Sequence, residues 1–426
     1  MIYSTYTYIN LKNGNDIMKK TALKKYASLI VSTGAAVRRG QDVVINAALD
    51  QPEFVTYVVE ACYKAGARKV TVDWHHQPIS KLHIKYRSQK VLGTLEDWEV
   101  ARARREAELL PAYIYLTSDD PDGMRGINQE KLSKATQEKQ KILKPIRDGM
   151  ENKHQWCIAA VPGVEWAKKV FPNESKPRAV EHLWEAILAA SRADGDDPTE
   201  AWRLHNADLA SRCEYLNKLG IRKLHYKSQN GTDFTVGLME NGVFLGGGEY
   251  TLGSRIFYNP NIPSEECFTT PMKGEAEGVL VATKPLSVRG QLVENFSVRF
   301  EGGRAVEVKA EKGEDLLKQL LAMDEGASYL GEVALVPYDS PINNTGILFY
   351  NTLFDENACC HVALGRGFNN CVADYEKYSF DEIRAMGVND SIIHVDFMIG
   401  APDLTITAQL RSGEETLIFK DGNWAF

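Results

Sequence analysis

Four short runs rich in β-branched and aromatic residues recur through the first half of the chain: DVVINAAL (Asp42 to Leu49), RKVTVDW (Arg68 to Trp74), AYIYLTS (Ala112 to Ser118) and HQWCIAAVP (His154 to Pro162). Helical, charge-rich sequence separates them. Strands that alternate with helices imply βαβ crossovers, hence a parallel sheet covered on both faces. PEFVTYVVEACYKAGA (Pro52 to Ala67) has proline near its start, apolar residues at helical spacing and Gly66 near its end, the punctuation of a capped helix. KKYASLIVSTGAAV (Lys24 to Val37) reads as another helix. From about Ile221 the texture changes to short strands broken by NG and GG dipeptides, as in SQNGTDFTVGLMENGVFLGGGEY and QLVENFSVRFEGGRAVEVKAE. The fold expected is an α/β N-terminal domain with a parallel sheet, residues 18–220, followed by an α+β C-terminal domain with a largely antiparallel sheet, residues 221–426. Residues 1–17 are expected to be a loose or artefactual extension, with Met18 opening the fold.

A net charge of −7 argues against nucleic acid, which is gripped by clustered Lys and Arg. The basic run KATQEKQKILKPIR (Lys134 to Arg147) reads as the solvated face of a helix. Seven cysteines, an odd number with no C-x-x-C pair, disfavour a disulfide framework or a structural zinc site and suit a reducing cytoplasm. No apolar run approaches the ~18 residues of a membrane span, and the opening sequence lacks the pattern of a signal peptide.

The glycines of GGGEY and GRGF do not match a dinucleotide fingerprint or a P-loop, and hairpin turns are the expected reading. Neither G-x-S-x-G nor H-E-x-x-H is present. What remains is a set of acids and imidazoles in the second half: Glu265 and Glu266, Glu332, Glu356 and His361, and His394 with Asp396. In a strand, residues two apart share a face, so His394 and Asp396 of HVDFMIG would project side by side from an apolar run. Glu332 likewise opens the apolar strand EVALVP. Buried ionisable groups are costly unless paired or bound to metal, which makes these residues candidate ligands. A satisfied core histidine and a Glu332–Arg pair are the plainer alternatives, and vicinal Cys359 and Cys360 read as small buried filler.

The ordered motifs NIPSEECFTTP, GEVALVPYDSPI, ILFYNTLFDENACCHVALGRGF and NDSIIHVDFMIG resemble the M29 family of metallo-aminopeptidases, from near Met18 to GNWAF at the C-terminus. The resemblance implies an N-terminal α/β domain, a C-terminal catalytic domain, usually a homodimer, peptide substrates, and two divalent cations, reported for the family as cobalt, zinc or manganese. Carried over by position, the ligands fall on Glu266, Glu332, His361, His394 and Asp396. Glu356 matches a further acid that is either a ligand or the proton carrier. Glu332 is expected to bridge the cations, and Arg366 to steady an oxyanion or form an ordinary ion pair. The motif after the histidine commonly ends in tyrosine, whereas this chain has Phe368, with Tyr338 or Tyr350 as substitutes. An amide hydrolase or ring-opening oxygenase on a related scaffold, and a non-catalytic binding protein, remain open at this point.

Overall fold

The computed structural model describes residues 14–426. Of the extension expected at 1–17, residues 1–13 lie outside the described residues, and 14–17 begin α1 (Gly14–Leu29). The helix expected across Lys24 to Val37 ends earlier, in a π-turn at Ile30–Gly34. There the chain closes onto the sheet: a Cβ on Gly34 would lie 2.5 Å from Cys157 Sγ. Alternation then follows the pattern read from the sequence, through β1 (Asp42–Ala48), α2 (Pro52–Lys64), β2 (Lys69–His75), α3 (Gln77–Tyr86), α4 (Gln89–Gly93), α5 (Asp97–Leu109), β3 (Ala112–Thr117), α6 (Gln129–Asp148), β4 (Trp156–Ala160), α7 (Val164–Val170), α8 (Lys176–Ala190) and α9 (Pro198–Leu219). The strands run parallel in the order β2-β1-β3-β4. The basic run lies on α6, where Lys134 and Lys141 pair with Glu130 and Glu138 at 2.6 and 2.7 Å.

Beyond residue 220 the strands are β5 (Ile221–Lys227), β6 (Asp233–Leu238), β7 (Leu245–Gly246), β8 (Glu249–Tyr250), β9 (Phe257–Tyr258), β10 (Asn261–Ile262), β11 (Cys267–Thr269), β12 (Pro271–Val281), β13 (Leu286–Val288), β14 (Gln291–Glu301) and β15 (Arg304–Lys312). Next come α10 (Glu314–Leu321), β16 (Leu330–Leu335), α11 (Pro341–Asn344), α12 (Thr352–Glu356), β17 (His361–Gly365), α13 (Phe380–Met386), β18 (His394–Met398), β19 (Thr405–Leu410), β20 (Glu415–Lys420) and β21 (Asn423–Trp424). Most of them build a nine-stranded antiparallel sheet around β12, β14, β5 and β6. A second, five-stranded antiparallel sheet has the order β18-β17-β16-β11-β7. Large side chains such as Phe234, Phe296, Phe397 and Phe419 fill the core built around these sheets.

β10 leaves this half and pairs parallel with β4, so the first sheet takes its fifth strand from beyond residue 220. The core of the first half likewise includes Ile342, Phe349, Leu353 and Phe354 from α11, α12 and the segment between them. The two halves are thus packed together around α12. Neither glycine group makes a hairpin turn. Gly246 to Gly248 carry the chain from β7 in one sheet to β8 in another, and Gly365 to Phe368 lead out of β17 into a long excursion before β18. The first join links strands of different sheets, and the second separates the antiparallel neighbours β17 and β18 by a segment that includes α13, neither of which dipeptide composition reveals. No helix among the described residues is long and apolar enough to cross a membrane.

Candidate metal centre

The five-stranded sheet assembles the candidate ligands on adjacent strands. Glu266 immediately precedes β11, Glu332 lies on β16, His361 opens β17, and His394 and Asp396 lie on β18. The segment Phe354 to Phe368, too irregular in sequence to be one element, is the end of α12 followed by β17.

Two sets of three donor atoms form there, each with its atoms within 4.8 Å of one another: Glu266, Glu332 and His361, and Glu332, His394 and Asp396. Glu332 belongs to both. His361 Nε2 is 3.1 Å from Glu266 Oε2, and His394 Nε2 is 3.0 Å from Glu332 Oε2 and 3.3 Å from Asp396 Oδ1. The period-two reading of HVD therefore places its pair correctly.

The two imidazoles share one arrangement. His361 Nδ1 donates to the Cys359 carbonyl at 3.3 Å, and His394 Nδ1 donates to the Arg366 carbonyl at 2.7 Å. A backbone acceptor on Nδ1 fixes the tautomer that leaves Nε2 free to ligate. Each Nε2 faces a carboxylate. Burial opposes charge on either imidazole, but the neighbouring carboxylates outweigh it and raise both well above the ordinary histidine value.

Glu266, Glu332 and Asp396 are buried, and among the described residues no lysine or arginine pairs with any of them. Burial pushes Glu332 up to about 7 against the hydrogen bond from His394. Asp396 is held below the ordinary value: burial raises it, and His394 lowers it further. Its Oδ1 is buried with no hydrogen-bond donor aligned on it. A buried carboxylate oxygen without an aligned donor, inside a ring of acids and imidazoles, is what a cation would satisfy.

Glu356 stands apart from both sets. It ends α12 and is only partly buried, and burial raises it well above the ordinary value, with Asp396 and Glu266 adding to the effect. Asn357 supports it. Asn357 Oδ1 accepts the Glu265 N–H at 2.7 Å, and its Nδ2 donates to the Leu353 carbonyl at 2.9 Å and lies 3.4 Å from Glu356 Oε1. Glu265 points elsewhere, held by both terminal nitrogens of Arg192 and lying 3.8 Å from His205. Arg192, His205 and Asn357 escaped the sequence reading. Asn357 had the one usable signal, a polar residue inside the DENACCH motif.

Arg366 forms a part-buried ion pair with Asp148 and Glu151. The Phe368 ring lies against the His394 ring, with centroids 4.9 Å apart, and edge-on to Phe268 at 5.4 Å. Tyr350 lies under Lys169 Nζ at 5.1 Å, and Tyr338 follows β16, its N–H bonded to the Gly422 carbonyl. Cys359 and Cys360 are free and buried, as filler would be.

Comparison with known proteins identifies the family. A family model described as thermophilic metalloprotease (M29) matches residues 19–424. The chain belongs to the M29 metalloprotease family. It is 40% identical over 405 residues to aminopeptidase AmpS of Bacillus subtilis, covering 95% of this chain and 98% of that protein. Identity to aminopeptidase T of Thermus thermophilus is 38% over 409 residues, with the same coverage of each chain. The solved structure of wild-type AmpT from Thermus thermophilus superposes with a TM-score of 0.85 at 36% identity, covering 96% of this chain and all of that one. The M29 fold is thus common to both, and the α/β and antiparallel halves expected from the sequence are present.

Proposed function

We propose that this M29 protein is a metal-dependent aminopeptidase that releases N-terminal amino acids from peptides, with two divalent cations held by Glu266, Glu332, His361, His394 and Asp396. The observation that carries this reading is the pair of three-donor sets that share Glu332. Supporting it are the buried Asp396 Oδ1, which has no aligned hydrogen-bond donor, and the lack, among the described residues, of any Lys or Arg counter-charge on the three buried acids. Oxygen and imidazole donors without thiolate suit manganese, cobalt or zinc. When bound, such cations supply Lewis acidity that polarises a peptide carbonyl and makes a water acidic enough to attack near neutral pH.

The chain's own groups do the rest. Glu356, outside both donor sets, takes the proton from the attacking water and returns it to the leaving amine, and its raised proton affinity suits that exchange. Asn357 steadies the end of α12 and with it the Glu356 carboxylate. The main-chain carbonyls of Cys359 and Arg366 hold the two imidazoles with Nε2 turned inward. Phe368 contributes a wall against His394 and no proton.

The division into an α/β domain at 18–220 and a catalytic domain at 221–426 is retained in this proposal, with β10 as the strand that ties them. We place the protein in the cytoplasm, which its seven free, buried cysteines suit. We also propose a homodimer, which would cover apolar side chains exposed on and beside α3 to α5, such as Tyr86 and Trp98. Elemental analysis of the purified protein, with hydrolysis of dipeptides and amino-acid p-nitroanilides compared against small non-peptide amides, tests the central claim. Bound divalent metal and release of the first residue are expected. A protein that binds no metal, or that turns over only the non-peptide amides, ends the proposal.

A further inference from the structure

One charged contact between the first half of the chain and the metal centre lies at Arg366. Asp148 ends α6, and Glu151 lies in the turn that follows. Asp148 Oδ1 accepts from Arg366 Nη2 at 3.1 Å, and Glu151 Oε2 accepts from the same nitrogen. The other Glu151 oxygen accepts from Asn369 Nδ2 at 3.0 Å. Lys144 Nζ backs Asp148 at 2.8 Å and reaches Asp390 at 3.1 Å. All three members of the clamp are partly buried, with side chains 30% (Arg366), 16% (Asp148) and 22% (Glu151) exposed.

The main chain of Arg366 is the part that matters for the site. Its carbonyl receives His394 Nδ1–H at 2.7 Å, and its N–H donates to the Ile393 carbonyl at 2.7 Å. That carbonyl packs tightly on β16, where a Cβ on Gly331 would lie 2.1 Å from it. One residue therefore carries an ion pair to the other half of the molecule on its side chain and the orientation of a ligand imidazole on its backbone.

We propose that Asp148 and Glu151 are positioning residues for His394: by fixing Arg366 they fix the carbonyl that turns His394 Nε2 toward the cation. The inference rests on the metal-centre reading above. Outer partners of ligand histidines set metal affinity, typically by 10–100-fold, and these acids stand one further bond away, so about tenfold is expected.

The test uses the full chain with Glu151→Gln, Asp148→Asn and the double variant. The control is Glu130→Gln, an exposed acid on α6 paired with Lys134. Cobalt(II) and zinc(II) affinities are measured by competition with a chromophoric chelator, alongside the melting temperature. Each clamp variant is expected to bind one metal equivalent about tenfold more weakly, with peptide hydrolysis recovering as metal is raised, while the control matches the parent. Clamp variants that melt lower yet bind metal like the parent overturn the proposal and leave the acids a purely stabilising role. A parent protein that binds no metal fails at the earlier step, overturning the metal centre and this inference with it.

Discussion

Glu265 and Glu266 are chemically identical neighbours with different partners. Successive side chains of an extended segment point to opposite faces, so one acid meets Arg192 and the other meets His361. Sequence narrows the candidate ligand to this pair, and the choice between them belongs to Arg192, in the turn after α8 and 73 residues away. Glu356 belongs to neither three-donor set and is partly exposed. Glu356→Gln should lower kcat by about 10²–10⁴ while metal content, read by elemental analysis, stays at the parental level. Loss of metal in that variant would make Glu356 a ligand. Gly331 presents a steric case: its added methyl would collide with the Arg366 carbonyl at 2.1 Å. Gly331→Ala should lower the melting temperature and weaken metal binding together, because the backbone that must yield also carries the His394 acceptor.

At the scale of elements, α12 has five residues and cannot be stable alone. Its first turn is held by Asn351 Oδ1 on the Leu353 N–H at 3.1 Å, and by Asp355 on the N–H groups of Phe349 and Asn351 at 2.8 and 3.0 Å. Its apolar side chains, Leu353 and Phe354, enter the core of the first half. Phe354 is fully buried and stacks on Phe349 with ring centroids 4.7 Å apart. Phe354→Ala should cost about 3–5 kcal/mol in chemical denaturation. It should also depress kcat more than metal affinity, since the same short helix ends in Glu356. The helices and strands of the first half were legible because hydrophobic period and punctuation are local. The join at GRGF was not, because a glycine loop looks alike whether the partner strand follows at once or, as β18 does here, only after an intervening helix.

For the whole molecule, a cation that binds only the folded state stabilises it by mass action, by about 2.7 kcal/mol at a hundredfold excess over Kd. Chelator treatment should therefore lower the melting temperature, and added Mn(II), Co(II) or Zn(II) should restore it. An unchanged melting curve after verified metal removal would contradict this. Acid should act through His154 and His205, which burial pushes below the ordinary histidine value. At these two sites the unfolded chain binds more protons than the folded one as pH falls through about 6.5, so their contribution to stability declines on acidification, by at most about 1.4 kcal/mol per pH unit for each group. Replacing both with glutamine should make the denaturation midpoint fall less on acidification than the parent's between about pH 5 and 7.

By itself the sequence determined the alternating first half, the antiparallel second half, and the acids and imidazoles available for a cation, because periodicity and burial cost act on residues close along the chain. Only the tertiary structure decided which glutamate faces the histidines, that β10 completes the first sheet, and that Arg366 joins an acid pair 215 or more residues away to a ligand imidazole. Those outcomes depend on which strands become neighbours. Long-range packing sets that, and no local pattern encodes it.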